Sequence, residues 1–230
     1  LAPNAHLSYS TAYTVTVKGG AAGVKDVAGN GLAGDYASAF TTTDLTHSIW
    51  DGSYMPANPP ASDGNPLALG LKFQSQESGY IVGLRFYKGT NNTDTHVGKL
   101  WTREGVERAS VTFSNETASG WQEQWFASPV AISASTTYVA SYHSPSGYFS
   151  STPGYFSVSG HTNAPLVALA TGVDGTNGVY GPGPVGTFPA SPSPTSANYL
   201  VDVVFVGSAG PDTNGPTVAV SPTNGAVGVS

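Results

Sequence analysis

No stretch of a dozen residues in this 230-residue chain keeps apolar side chains on a 3.6-residue period between helix caps. Short runs instead alternate apolar and polar residues at period two, and Gly, Asn, Ser or Pro breaks most of them. That is the pattern of strands joined by tight turns. The runs fall at 67–73, 80–87, 97–101, 109–113, 122–126, 137–142, 166–168 and 199–205. A chain of this kind hides its apolar faces by packing sheet on sheet, so the expectation is an all-β, antiparallel β-sandwich of about eight strands. The Pro-rich stretch 181–194 reads as a long loop with Phe188 as its anchor.

Composition removes several alternatives. Gly 29 and Pro 17 are numerous, but 39% hydrophobic and 11% aromatic residues are too many for a chain that cannot form a core. The 8 basic residues are scattered and the net charge is −6, so no basic stripe exists for nucleic acid. No apolar run approaches the roughly 20 residues of a membrane helix. Cysteine is absent, which suits a protein working outside the cell.

Three parts follow from the turn signals. Residues 1–43 hold the alternating run Tyr13-Thr14-Val15-Thr16-Val17, a reversal around Asn30-Gly31 and a last run at 36–42, too few strands to close a sandwich. Residues 44–206 carry the eight runs above. Residues 207–230 open with Gly207-Ser208-Ala209-Gly210-Pro211-Asp212-Thr213-Asn214-Gly215-Pro216, an extended linker, before Thr217-Val218-Ala219-Val220. The turn Lys25-Asp26-Val27-Ala28-Gly29-Asn30, between its flanking strands, resembles the second half of a bacterial Ig-like repeat, and 217–220 resembles the opening strand of the same repeat. The resemblance implies partial Ig-like segments at both ends, and the central sandwich between them is expected to be of jelly-roll or Ig-like type. The ends read either as a tandem array divided between natural boundaries, or as segments that complement neighbouring copies and build a filament.

Catalytic signatures are weak. There is no Gly-x-Ser-x-Gly elbow, and the 5 histidines never approach metal-ligand spacing. The carboxylates Glu104, Glu107, Glu116, Glu123 and Asp51 sit mostly among turn residues. The expectation is a protein that is not an enzyme. Asp202 lies between apolar neighbours in a strand, and an acid there needs a partner. Arg85 is the best one, as a structural pair or as part of a polar ligand site. Aromatic faces stack on sugar rings, so the loop residues Tyr142, His143, Tyr148, Tyr155 and Tyr180 are candidate ligand contacts, while Trp101 and Trp121 are assigned to the core. No cofactor is implied. Calcium is the one ion considered, through the oxygen-bearing loops containing Asp94, Asp174 and Asn177, which otherwise simply make turns.

Five motifs in order, Leu84-Arg85-Phe86-Tyr87-Lys88-Gly89, Gly98-Lys99-Leu100-Trp101, Ser119-Gly120-Trp121-Gln122, the run 137–143 and the run 198–205, resemble a bacterial family known only as a domain of unknown function. The resemblance implies a β-domain of large secreted proteins, often beside Ig-like repeats, and carries no catalytic residues. The function expected is a non-catalytic extracellular or cell-surface module, carbohydrate-binding or adhesive, with polysaccharide, surface glycan, neighbouring repeats or copies of itself as partners. The alternatives are a structural spacer or filament subunit, and a polysaccharide-active enzyme of unrecognised type.

Overall fold

Period-two alternation becomes a strand almost wherever the sequence shows it. The computed structural model describes residues 12–41 and 46–207, and the chain divides after Thr46 into two compact units. The linker and the segment 217–220 lie outside the described residues, as does the start of the first segment.

In the first unit, β1 (Ala12–Val17) and β2 (Tyr36–Thr41) pair antiparallel from Ala12↔Thr41 to Val17↔Tyr36. The intervening turn is organised by Asp26. Its Oδ1 accepts from the backbone amides of Ala28 at 2.9 Å and Asn30 at 2.8 Å, and its Oδ2 accepts from the Asn30 side-chain amide at 3.0 Å. Those bonds favour the ionised form, the Asn30 side chain most, and hold the Asp26 carboxyl below its ordinary range.

Strand β3 (Thr46–His47) lies at the division, and the second unit contains β4 (Asn58–Ser62), β5 (Leu67–Ser75), β6 (Gly79–Lys88), β7 (Val97–Thr102), β8 (Glu107–Thr112) and β9 (Gly120–Ile132). It continues with β10 (Tyr138–Ser144), β11 (Tyr148–Ser151), β12 (His161–Asn163), β13 (Leu166–Ala168), β14 (Val179–Pro182), β15 (Ser191–Pro192) and β16 (Val201–Gly207). One sheet runs β12-β13-β5-β10-β7-β8, with β14 and β15 joining along β5; a second runs β3-β16-β6-β9, and β4 pairs with β11 in a two-stranded sheet. The register described is antiparallel in every pair, and no helix occurs among the described residues. The molecule is an all-β sandwich.

Alternation explains what fills it. From β5 come Leu67, Leu69, Leu71 and Phe73; from β10, Tyr138, Ala140 and Tyr142; from β16, Val201, Val203 and Phe205. Phe86 of β6 sits at the centre, stacked on Tyr142 at 4.4 Å and edge-on to Phe113 at 4.8 Å. Strand β6 departs from simple alternation. Its register against β16 and β9 shifts between Ile81 and Gly83, so Ile81, Leu84 and Phe86 face the core, and Val82 does not share their face. The stretch 181–194 contributes to β14 and β15, and Phe188 anchors it edge-on to Trp101 at 5.4 Å in a second small apolar cluster with Val139 and Val179.

Because Phe86 is fully buried and shares its contacts with both sheets, Phe86→Ala is expected to lower stability by about 3–5 kcal/mol, measurable by denaturant unfolding.

Candidate functional site

The outward side of the four-stranded sheet carries what its inward side cannot. On β6, Arg85 and Tyr87 alternate with the core residues Leu84 and Phe86. On β9, Trp121, Glu123 and Trp125 alternate with Gln122 and Gln124. The register sets Tyr87 against Trp121, Arg85 against Glu123 and Gly83 against Trp125, so an aromatic pair, an ion pair and a partly exposed tryptophan lie in succession on one face.

The geometry is tight at the near end and open at the far end. Tyr87 meets Trp121 edge-on at 5.7 Å, and the Arg85 guanidinium lies over the Trp121 ring at 4.8 Å. Arg85 Nε lies 3.6 Å from Glu123, and Glu123 also accepts from the Trp125 indole N–H at 3.0 Å. Trp125 is 39% exposed, unusual for the largest apolar side chain, whereas Trp121 and Tyr87 are half-buried. Gln122 and Gln124, on the alternate positions, bond to Thr117 and Ser114 and tie the strand to the preceding loop.

Asp202 supports this face from within. Its carboxylate accepts from Ile49 N at 2.7 Å, Trp50 N at 3.2 Å, Val203 N at 2.8 Å and Arg85 Nη1 at 3.2 Å. Complete burial pushes the Asp202 carboxyl up to about 7, against the opposite pull of Arg85 and the three amides. The same Arg85 nitrogen donates to Trp50 O at 3.3 Å, and the Trp50 indole donates to Val201 O at 3.0 Å. The segment around residue 50 is thereby strapped to β16. Leu200, with φ 52°, turns the chain into β16 so that its carbonyl accepts from Tyr87 N at 3.0 Å.

The expected ligand residues are not brought together. Arg85 and Asp202 form the pair anticipated for them. Tyr142 is corrected to a core residue: β10 extends to Ser144, which turns its side chain inward at 1% exposure, and no ligand reaches it. His143 is corrected as well. It sits on the opposite face of the same strand, buried, with Nε2 3.0 Å from Gly183 O. Tyr148 and Tyr180 are half-buried on β11 and β14, apart from the ladder, and Tyr180 packs on the core. Tyr155 is half-buried beside Trp50 and Tyr54. Trp101 is buried as expected, its indole donating to Ser141 Oγ at 2.8 Å. Trp121 is half-buried and packs against the core as expected, while its indole bonds to Tyr54 O and its ring receives the Arg85 guanidinium. The signal for the ladder was the period-two Trp-x-Glu-x-Trp of β9.

Of the calcium candidates, two are committed to protein partners. Asp174 is gripped by Arg103, Nε to Oδ1 at 2.6 Å and Nη2 to Oδ1 at 2.5 Å, which holds its carboxyl below the ordinary range. Asn177 is buried, its oxygen accepting from Lys72 N at 2.8 Å and its nitrogen donating to Leu169 O at 2.7 Å. Both are therefore corrected from ion ligands to structural ties. Asp94 keeps one buried oxygen without a hydrogen-bond partner. No group of three or more His, Cys, Asp or Glu side chains suited to a metal occurs among the described residues.

A second ionic cluster lies inside the fold. Glu116 accepts from Lys88 at 2.9 Å and from His96 Nδ1 at 2.8 Å, while His96 Nε2 is buried without a partner. A carboxylate only accepts, so the imidazole proton sits on Nδ1. His96 is 0% exposed, and the cluster is closed to a substrate. An open groove between β8 and β9, lined by Arg108, Ser110, Ala127 and Pro129 among others, has Phe126 as its aromatic.

A family model described as Domain of unknown function (DUF4082) matches residues 53–201, and one described as Bacterial Ig-like domain matches residues 1–42. No curated protein matches the chain.

Two outcomes test the supports. Asp202→Ala strands a buried Arg85 guanidinium and is expected to lower stability by about 3–5 kcal/mol in chemical denaturation. Burial, the largest influence, lowers His96 below the ordinary imidazole value of 6.5. The unfolded chain therefore binds more protons than the folded one below that value, and His96 removes stability as pH falls. The stability difference between the protein and His96→Gln, followed from pH 7.5 to pH 5, is expected to shift in favour of the variant.

Proposed function

The chain belongs to the family described as Domain of unknown function (DUF4082), and from that starting point we propose that it is a non-catalytic, carbohydrate-binding module of a modular extracellular protein. An Ig-like segment precedes the family domain, which makes the chain modular, and bacterial Ig-like domains are often extracellular.

The observation that carries the carbohydrate reading is the outer-face ladder, in which Trp125 is 39% exposed beside Glu123 and Arg85. A sugar ring has an apolar face of C–H bonds and a rim of hydroxyls. An exposed indole matches the first by stacking, and the exposed Glu123 carboxylate, an acceptor, matches the second. The ladder lies on paired strands, so its side chains are held in place before a ligand arrives, and less entropy is lost on binding. The same residues offer little for hydrolysis. Glu123 is exposed and bonded to Trp125, and the other carboxylate near it, Asp202, is sealed beneath Arg85.

A glycan array probed with the whole chain and with Trp125→Ala tests the proposal. Signal on one or more polysaccharides is expected, reduced about tenfold or more in the variant, equivalent to roughly 1.4 kcal/mol. Silence of the wild-type chain across plant, fungal and bacterial glycans, or equal signal from the variant, contradicts it.

A further inference from the structure

The aromatic surface continues past Trp121. The Trp121 indole donates to Tyr54 O at 3.1 Å, which fixes Tyr54 beside the end of the ladder. The Tyr54 ring stacks on Trp50 at 5.1 Å and meets Tyr155 edge-on at 5.9 Å. His161 stacks on Trp50 at 4.7 Å, and its Nδ1 lies 3.3 Å from the Tyr155 hydroxyl. Trp50 is fully buried and acts as the floor; Tyr54, Tyr155 and His161 are half-buried above it. Burial also pushes the Tyr155 hydroxyl up to about 12, so at neutral pH it stays a neutral donor.

We propose that Tyr54, Tyr155 and His161 form a second subsite continuous with the sheet-face ladder, and that the ligand is an extended chain of several neutral sugars. The inference rests on the carbohydrate reading above. Trp121 and Trp125 stand four residues apart on one strand, about 13 Å at roughly 3.3 Å per residue, and the second cluster adjoins the ladder across the sheet, where Trp50 is bonded to Val201 of β16 and Tyr54 O meets the Trp121 indole. A band of that length, open along the edge strand β9, suits the middle of a chain. A site for a chain end or a single sugar would be closed on several sides.

Charge selects within the class. Arg85 is committed to Asp202 and to Trp50 O, whereas Glu123 and Asp51 present carboxylates at the surface. The Asp51 carboxyl is held below its ordinary range, chiefly by the Ser53 side chain, and stays ionised at neutral pH. With a net charge of −6, the protein repels a polyanion and admits an uncharged chain.

The test is calorimetric titration of the whole chain with cello-, xylo- and chito-oligosaccharides of two to six units, and with polygalacturonate. Affinity for at least one neutral series is expected to rise tenfold or more between two and six units. Tyr155→Ala should abolish the rise while leaving the two-unit affinity unchanged, Tyr155→Phe should retain it, and Trp125→Ala should weaken every length. Should Tyr155→Ala fail to fold, His161→Ala is expected to show the same loss of the rise. Affinity independent of length, or a rise that survives Tyr155→Ala and His161→Ala, overturns the second subsite while a Trp125→Ala loss leaves the ladder standing. Tighter binding of polygalacturonate overturns the neutral class. Binding of none of the probes overturns the subsite and the carbohydrate reading together.

Discussion

A single buried carboxylate organises the face on which this account depends. Asp202 points away from the core of its own strand, and no water reaches it. An ionised acid there persists only if donors surround it, and the chain supplies four: the amides of Ile49, Trp50 and Val203, and the Arg85 guanidinium. Ile49 and Asp202 are 153 positions apart in sequence, so one side chain draws together the beginning and the end of the central domain. It also orients Arg85, which in turn covers the Trp121 ring.

From that anchor the surface follows by alternation. Once Val201, Val203 and Phe205 face the core, Asp202 must face outward. Pairing with β6 then places Arg85 beside it, and pairing with β9 places Glu123 beside Arg85. Trp121 and Trp125 flank Glu123 at two-residue steps and share its face. The hydrophobic effect therefore positions the ladder indirectly. The apolar residues choose the inward side, and the polar and aromatic remainder is displayed outward on a rigid sheet.

Much of this was legible in the sequence. Each alternating run overlaps a strand, and the runs at 97–101 and 166–168 gain at most one residue, whereas the short strands β3, β12, β14 and β15 lay outside the runs. The Arg85–Asp202 pair was legible because an acid among β-branched neighbours demands a cation. What escaped has physical reasons. A register shift at Val82 reverses the parity of β6 halfway along, and alternation read from sequence carries no mark of an inserted residue. Tyr142 and His143 read as the edge of a loop because Ser144-Pro145-Ser146-Gly147 follows, yet β10 runs on to Ser144. Asn177 serves as a tie to Lys72 and Leu169, contacts made only in the folded chain.

The central claim is that the outer face of the four-stranded sheet binds sugar. The indole N–H resonances of the tryptophans report on it directly, because Trp121 and Trp125 lie on that face while Trp101 is buried against Ser141 in the other sheet. In a titration with a neutral oligosaccharide found to bind, the Trp121 and Trp125 indole signals are expected to shift in proportion to occupancy while Trp101 stays fixed. Saturable binding that leaves Trp121 and Trp125 unmoved, and perturbs residues of β5, β10 or β14 instead, would contradict the account.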